Sequence, residues 1–100
     1  MGRMSICTAH VPTASASRYL QQLCKHWSHK FTVEFDAASG VIHFDSGATL
    51  GMAAGDALLL VTLEAGSPEE AARMRPVVED HLNRFAFREA PLSFAWELRD

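Results

Sequence analysis

Between Phe31 and Glu64 the chain alternates apolar and polar residues at period two, and turn signals cut the alternation into short pieces. Phe31, Val33 and Phe35 point one way, and Thr32, Glu34 and Asp36 the other. Asp36-Ala-Ala-Ser-Gly40 reads as a turn, Asp45-Ser46-Gly47 as a tight hairpin, and Gly55-Asp56 as a third break. Residues 41–45 then carry Ile42 and Phe44 inward, and the next strand carries Ala48, Leu50 and Met52, weakened by Gly51. Residues 57–64 are the most apolar strand, which places them at the centre of the sheet. Connections this short join antiparallel neighbours, so the four strands form a meander. A sheet with one apolar face needs a cover, and the rest of the chain must supply it.

Two amphipathic segments do so. The first runs from about Thr13 to His29, with Thr13, Ser15 or Ser17 as N-cap and Ala16, Leu20, Leu23, Cys24 and Trp27 as its apolar stripe. The second starts at Ser67-Pro68-Glu69-Glu70, where Ser67 caps, Pro68 takes the first helical position and Glu70 completes a capping box. Ala71, Met74, Val78, Leu82 and Phe85 form its stripe, and Pro76 predicts a kink or a break inside it. A strand over residues 6–11, stopped by Pro12, precedes the first helix, and Leu92, Phe94, Trp96 and Leu98 alternate as a last strand. The expected fold is α+β: a two-layer sandwich with an antiparallel sheet and two helices on one face, in the order β-α-β-β-β-β-α-β. That order is analogous to the TATA-binding-protein-like arrangement, an analogy that carries no function.

One hundred residues leave room for one core, so residues 1–100 are read as a single domain. With 48% apolar and 21% charged residues the composition is that of a soluble globular chain. A net charge of −3 provides no general attraction to nucleic acid or anionic membrane. Cys7 and Cys24 are too few for a disulfide scaffold and are read as reduced. The N-terminal residues lack an apolar signal region, and the apolar run at residues 57–61 is too short to cross a bilayer. A cytoplasmic location is the expectation by elimination.

The uncovered sheet face should carry Thr32, Glu34, His43, Leu58, Leu60 and Thr62. Leu58 and Leu60 together suggest a partner surface, with a second copy as the expected occupant. Chemistry-bearing residues collect in two stretches, residues 24–30 and 81–89, each at the end of a helix. His26 and His29 are three apart and so are helical neighbours. A metal would need a further ligand from His81 or Asp80, and the plainer reading is cationic residues gathering at a helix C-terminus. His81 lies on the apolar stripe, where a histidine is commonly a half-buried core residue. Arg84, Arg88 and Lys30 offer a small cationic pocket for a carboxylate or phosphate, against solvation or pairing with Glu89 and Asp80. No Gly-x-Ser-x-Gly motif or Gly-rich phosphate loop is present, and the cofactor is left open.

The run from Ala16 through Tyr19, Leu20, Leu23, Cys24, Lys25, His26 and Trp27 to Lys30, with His81-Leu-Asn-Arg-Phe-Ala-Phe-Arg-Glu89, resembles the bacterial domain of unknown function 2218. The resemblance covers nearly the whole chain, and Pro76 departs from its pattern. It places a Lys-His-x-x-His-Lys signature on Lys25, His26, His29 and Lys30, and a His-Leu-x-Arg-Phe signature on His81, Leu82, Arg84 and Phe85. It also implies a link to siderophore-interacting flavin reductases as partners, and with it to iron handling. The leading expectation is a module that holds a small anionic ligand, or an iron-siderophore-related group, with His26, His29, Lys30, His81, Arg84 and Arg88. The alternatives are a small enzyme with His26 or His81 as general base, and a homodimeric structural subunit. The leading expectation requires the two helix ends to meet.

Overall fold

A computed structural model describes residues 4–99 of the chain. The elements are β1 (Ser5–Pro12), α1 (Ala16–Trp27), β2 (Thr32–Phe35), β3 (Ser39–His43), β4 (Thr49–Ala54), β5 (Leu58–Ala65), α2 (Pro68–Phe85) and β6 (Trp96–Arg99). They form a six-stranded sheet in the order β2-β3-β4-β5-β1-β6, and every pair in it is antiparallel. The meander of β2 to β5 is the one the alternation requires. β1 leaves its sequence neighbour and inserts between β5 and β6, so the first strand is an interior one.

Register lines up the apolar positions across the sheet. One row runs Val33, Ile42, Leu50, Leu63, Cys7 and Leu98. The four inner members are fully buried, Val33 at one edge is partly buried, and Leu98 at the other is 62% exposed. The helices therefore cover the middle of the sheet and thin out at both edges. α1 lies over β2, β3 and β4, and α2 lies over β5 and β1. Among the described residues no helix lies on the opposite face, which carries Thr32, Glu34, His43, Leu58, Leu60 and Thr62, together with Ile6, Thr8 and His10.

Both helices start as expected and depart in detail. Ser67 caps α2 by accepting from the Glu70 N–H at 3.1 Å, while the Glu70 carboxylate reaches one residue further back, to the Gly66 N–H at 2.9 Å. α2 does not break at Pro76 but continues to Phe85. Pro76 and Ala72, whose carbonyl loses its helical partner, both face solvent, so water can supply the missing bond. α1 is shorter than the expected span. It starts at Ala16 with Ser15 as cap residue, and Thr13 Oγ1 accepts from the Ser15 N–H. The last strand is also shorter, because the Leu92 N–H donates to Asn83 Oδ1 of α2 at 2.8 Å instead of joining the sheet, and the Leu92 side chain is buried.

The start of α1 is tied to the segment after α2. The Glu89 carboxylate accepts from Thr13 Oγ1, with oxygens at 3.1 and 2.9 Å, and from the Tyr19 hydroxyl. Thr13 and Tyr19 are both buried. This clamp uses the carboxylate that the sequence would have assigned to Arg84 or Arg88. It also holds the phenol in its neutral form: donation to Glu89 first, then burial, raise Tyr19 above its ordinary 10.0.

A close approach between layers occurs at Gly40. A Cβ there would lie 2.7 Å from Cys24 Sγ, 3.0 Å from Phe35 Cβ and 3.4 Å from Leu20 Cδ2. Gly40→Ala should therefore destabilise the chain by about 1–3 kcal/mol, seen as a Tm lowered by roughly 4 °C or more. Combining it with Cys24→Ala should cost less than the two single changes added, because the clashing sulfur is gone. Strict additivity in thermal melts would remove the steric explanation.

Tyr19 is the single tyrosine, so phenolate absorbance near 295 nm (~295 nm, the usual tyrosinate band) reports this group alone. Its midpoint should lie above pH 10.0 in the folded chain and fall toward that value in Glu89→Gln. Because the folded value is the higher one, the associated stability is complete below pH 10.0 and declines as pH rises through the folded-state midpoint. An unchanged midpoint in Glu89→Gln would show that the carboxylate is not the cause.

Candidate functional site

α1 ends at Trp27 for a local reason. The Ser28 hydroxyl donates to the Lys25 carbonyl at 2.8 Å, and the N–H groups of Lys30 and Phe31 both donate to the Trp27 carbonyl, at 3.0 and 2.8 Å. The chain wraps tightly around Trp27, which brings Lys30 and Phe31 beside the indole. His29 lies in this turn, beyond the last helical residue.

Three aromatic rings lock together at this end. Trp27 meets Phe31 at 6.2 Å and 74° between planes, and Phe44 at 5.2 Å and 80°. Phe31 and Phe44 meet at 4.9 Å and 75°. All three pairs are edge-to-face, the arrangement that ring quadrupoles favour. Phe44 follows β3 directly, and the hairpin behind it is set by Gly47, whose φ of 94° belongs to a conformation that glycine adopts without strain. The Phe44 N–H donates to the Ala48 carbonyl and the Gly47 N–H to the Phe44 carbonyl. Ser46, in this turn, reaches the Glu70 carboxylate at the start of α2. That contact and the Gly66 N–H hold the Glu70 carboxyl below its usual range.

α2 forms the third wall with Met74, Val77 and His81. The three walls enclose a recess of about 330 Å³ lined by Trp27, Lys30 and Phe31 from the end of α1, by Phe44, Asp45 and Ser46 from the hairpin, and by the three α2 residues. His81 Nδ1 lies 2.8 Å from the Val77 carbonyl. A carbonyl can only accept, so Nδ1 carries the proton and the neutral ring keeps its lone pair at Nε2. The ring also packs on Trp27, centroids 4.8 Å apart, and on His26 at 5.4 Å. The Lys30 ammonium rests over the Phe31 ring, 5.8 Å from its centroid. The site thus combines rigid aromatic walls, one ammonium, an imidazole held in one tautomer, and a carboxylate and a hydroxyl on the hairpin rim.

Of the residues expected from sequence, His26, Lys30 and His81 come together here. His29 is exposed and lies outside the recess lining. Arg84 is exposed on α2. Arg88 sits elsewhere, its guanidinium 5.7 Å from the Phe87 centroid, in a small groove of about 70 Å³ shared with Arg18, Tyr19, Phe85 and Phe87. The cause is helix direction. Trp27 meets His81 while Tyr19 meets Glu89, so the helices pack in antiparallel order and the end of α2 lies at the start of α1. Asp45, Ser46, Met74 and Val77 were not expected at the site, because nothing in the strand period says which hairpin will reach which helix.

Other chemistry is limited by burial. Cys7 and Cys24 are free and fully buried. Burial pushes the Cys24 thiol up to about 11, which keeps it protonated at neutral pH. Among the described residues no group of three His, Cys, Asp or Glu side chains could hold a metal ion, and no helix is long and apolar enough to cross a membrane.

A family model described as "Uncharacterized protein conserved in bacteria", domain of unknown function 2218, matches residues 8–97. The solved NMR structure of PA4090 from Pseudomonas aeruginosa is similar at 38% sequence identity and a TM-score of 0.77, over 97% of this chain and 96% of that one. None of the curated proteins matches.

Proposed function

The chain belongs to the bacterial family of domain of unknown function 2218, and within that family we propose that it is a binding module for a small organic anion seated in the Trp27–Phe44–His81 recess. The observation that carries this reading is the presence of the Lys30 ammonium in a recess walled mainly by Trp27, Phe31, Phe44, Met74 and Val77, with His81 beside the indole and Asp45 and Ser46 on the hairpin. The walls supply apolar contact area and the Lys30 ammonium supplies the positive charge that meets the anion, while the His81 Nε2 lone pair accepts from a hydroxyl or other donor on the ligand. The lysine lies over the Phe31 ring, a contact that leaves its N–H donors open to a ligand anion. His26, its ring tilted at 45° against His81 with centroids 5.4 Å apart, supports the imidazole from α1.

The probe is cyclohexanecarboxylate, compared with its neutral analogue cyclohexylmethanol in an NMR titration. The anion should bind more tightly and shift the resonances of Trp27, Phe31, Ser46 and His81. Lys30→Met should weaken it by about twofold to fivefold, the effect of an exposed charge, and leave the neutral analogue unaffected. Shifts scattered over the sheet face, or equal binding of both probes, would end this reading.

A second reading rests on the uncovered sheet face. Leu58 and Leu60 form an apolar pair there, with Thr8 and Thr62 beside it and Ile6, Glu64, Glu97 and Arg99 further along the same face. A second copy offers the same pair with both charge signs on the same face, which suits an isologous contact. Light scattering should report a dimer at high protein concentration and a monomer for Leu60→Asp. A monomer for the parent chain at every concentration would remove it.

A further inference from the structure

The geometry points to an aromatic monocarboxylate as the class of ligand for this recess, an assignment that rests on the small-anion reading above. Three features select it. The first is the ring lattice. Trp27, Phe31 and Phe44 stand at 74–80° to one another, so their faces and edges meet the recess already fixed in place. A flat ring entering it gains edge-to-face contacts that a saturated ring of equal size does not, a preference of about threefold to tenfold. The Met74 thioether on the opposite wall favours the same guest, since sulfur packs well on aromatic rings.

Size is the second feature. Met74 and His81 are two turns apart on α2, about 10 Å along its axis. The volume of about 330 Å³ lies at the lower end of small-molecule sites, which run from about 300 to 1,000 Å³. One ring and its substituent fit that length and volume.

The third is the balance of charges in the lining. Lys30 is the one lysine or arginine and Asp45 the one carboxylate among the residues that line the recess. One ligand carboxylate can meet Lys30. A second finds no further lysine or arginine in the lining and is repelled by Asp45. A hydroxyl finds acceptors in Asp45 and in His81 Nε2.

The test compares benzoate, cyclohexanecarboxylate, terephthalate and benzyl alcohol by NMR titration of the full chain. Benzoate should bind at least about threefold more tightly than cyclohexanecarboxylate, terephthalate more weakly than benzoate, and the benzoate ring should shift the Met74 methyl resonance by its ring current. Phe44→Leu should bring the two monocarboxylates to equal affinity. Phe31→Leu, at a half-buried position, makes the same comparison where Phe44→Leu does not fold. Equal binding of benzoate and cyclohexanecarboxylate to the parent chain would overturn the aromatic assignment and leave the anion reading standing. Terephthalate binding as tightly as benzoate would overturn the single-carboxylate assignment. Benzyl alcohol binding as tightly as benzoate would overturn the anion reading and keep the ring preference. No binding by any of the four would overturn both.

Discussion

Everything in this molecule follows from covering one face of a six-stranded sheet with two helices. The sheet presents unbroken rows of apolar side chains, and α1 and α2 bury only the middle of each row. Each fully buried leucine or valine contributes about 1.5–3 kcal/mol, so the central rows fix the register. Where coverage runs out, other devices take over. At one end three aromatic rings fill the space beyond the last turn of α1. At the two sheet edges the strands are only four residues long, which limits the unpaired backbone offered to another chain. The recess is the gap left where α1 stops at Trp27 and the β3–β4 hairpin continues past it.

That origin explains what could be read from the sequence. Alternation at period two and stripes at three or four residues both record which side of an element is buried. One-sided burial is simple here, so the pattern places Leu50, Met52, Leu20 and Leu82 in the core, where all four are buried. The face left open was legible for the same reason. The Ser67 cap was legible because its chemistry is local, within four residues.

Relations between elements were not legible. The antiparallel order of the helices decides that His81 joins Trp27 and Arg88 joins Arg18, and no periodicity encodes it. The same holds for Asp45 and Ser46, ordinary turn residues until the hairpin docks against α2. Pro76 misled for a different reason. Its cost depends on whether water reaches the freed carbonyl, and that is a property of the assembled surface.

The two ends of α1 are held by different kinds of contact. At its start, Thr13 and Tyr19 converge on one carboxylate, a directional arrangement that tolerates little displacement. At its finish, Trp27 is held by ring contacts, whose energy varies slowly with small rotations of the rings. The ring contacts at the finish also shape the recess: Lys30 and Phe31 hang from the turn that closes around Trp27, and Phe31 and Phe44 pack edge-to-face on the indole. The fold thus holds one end of a twelve-residue helix with a charged clamp and the other with aromatic packing, and the aromatic end is the one that borders the recess.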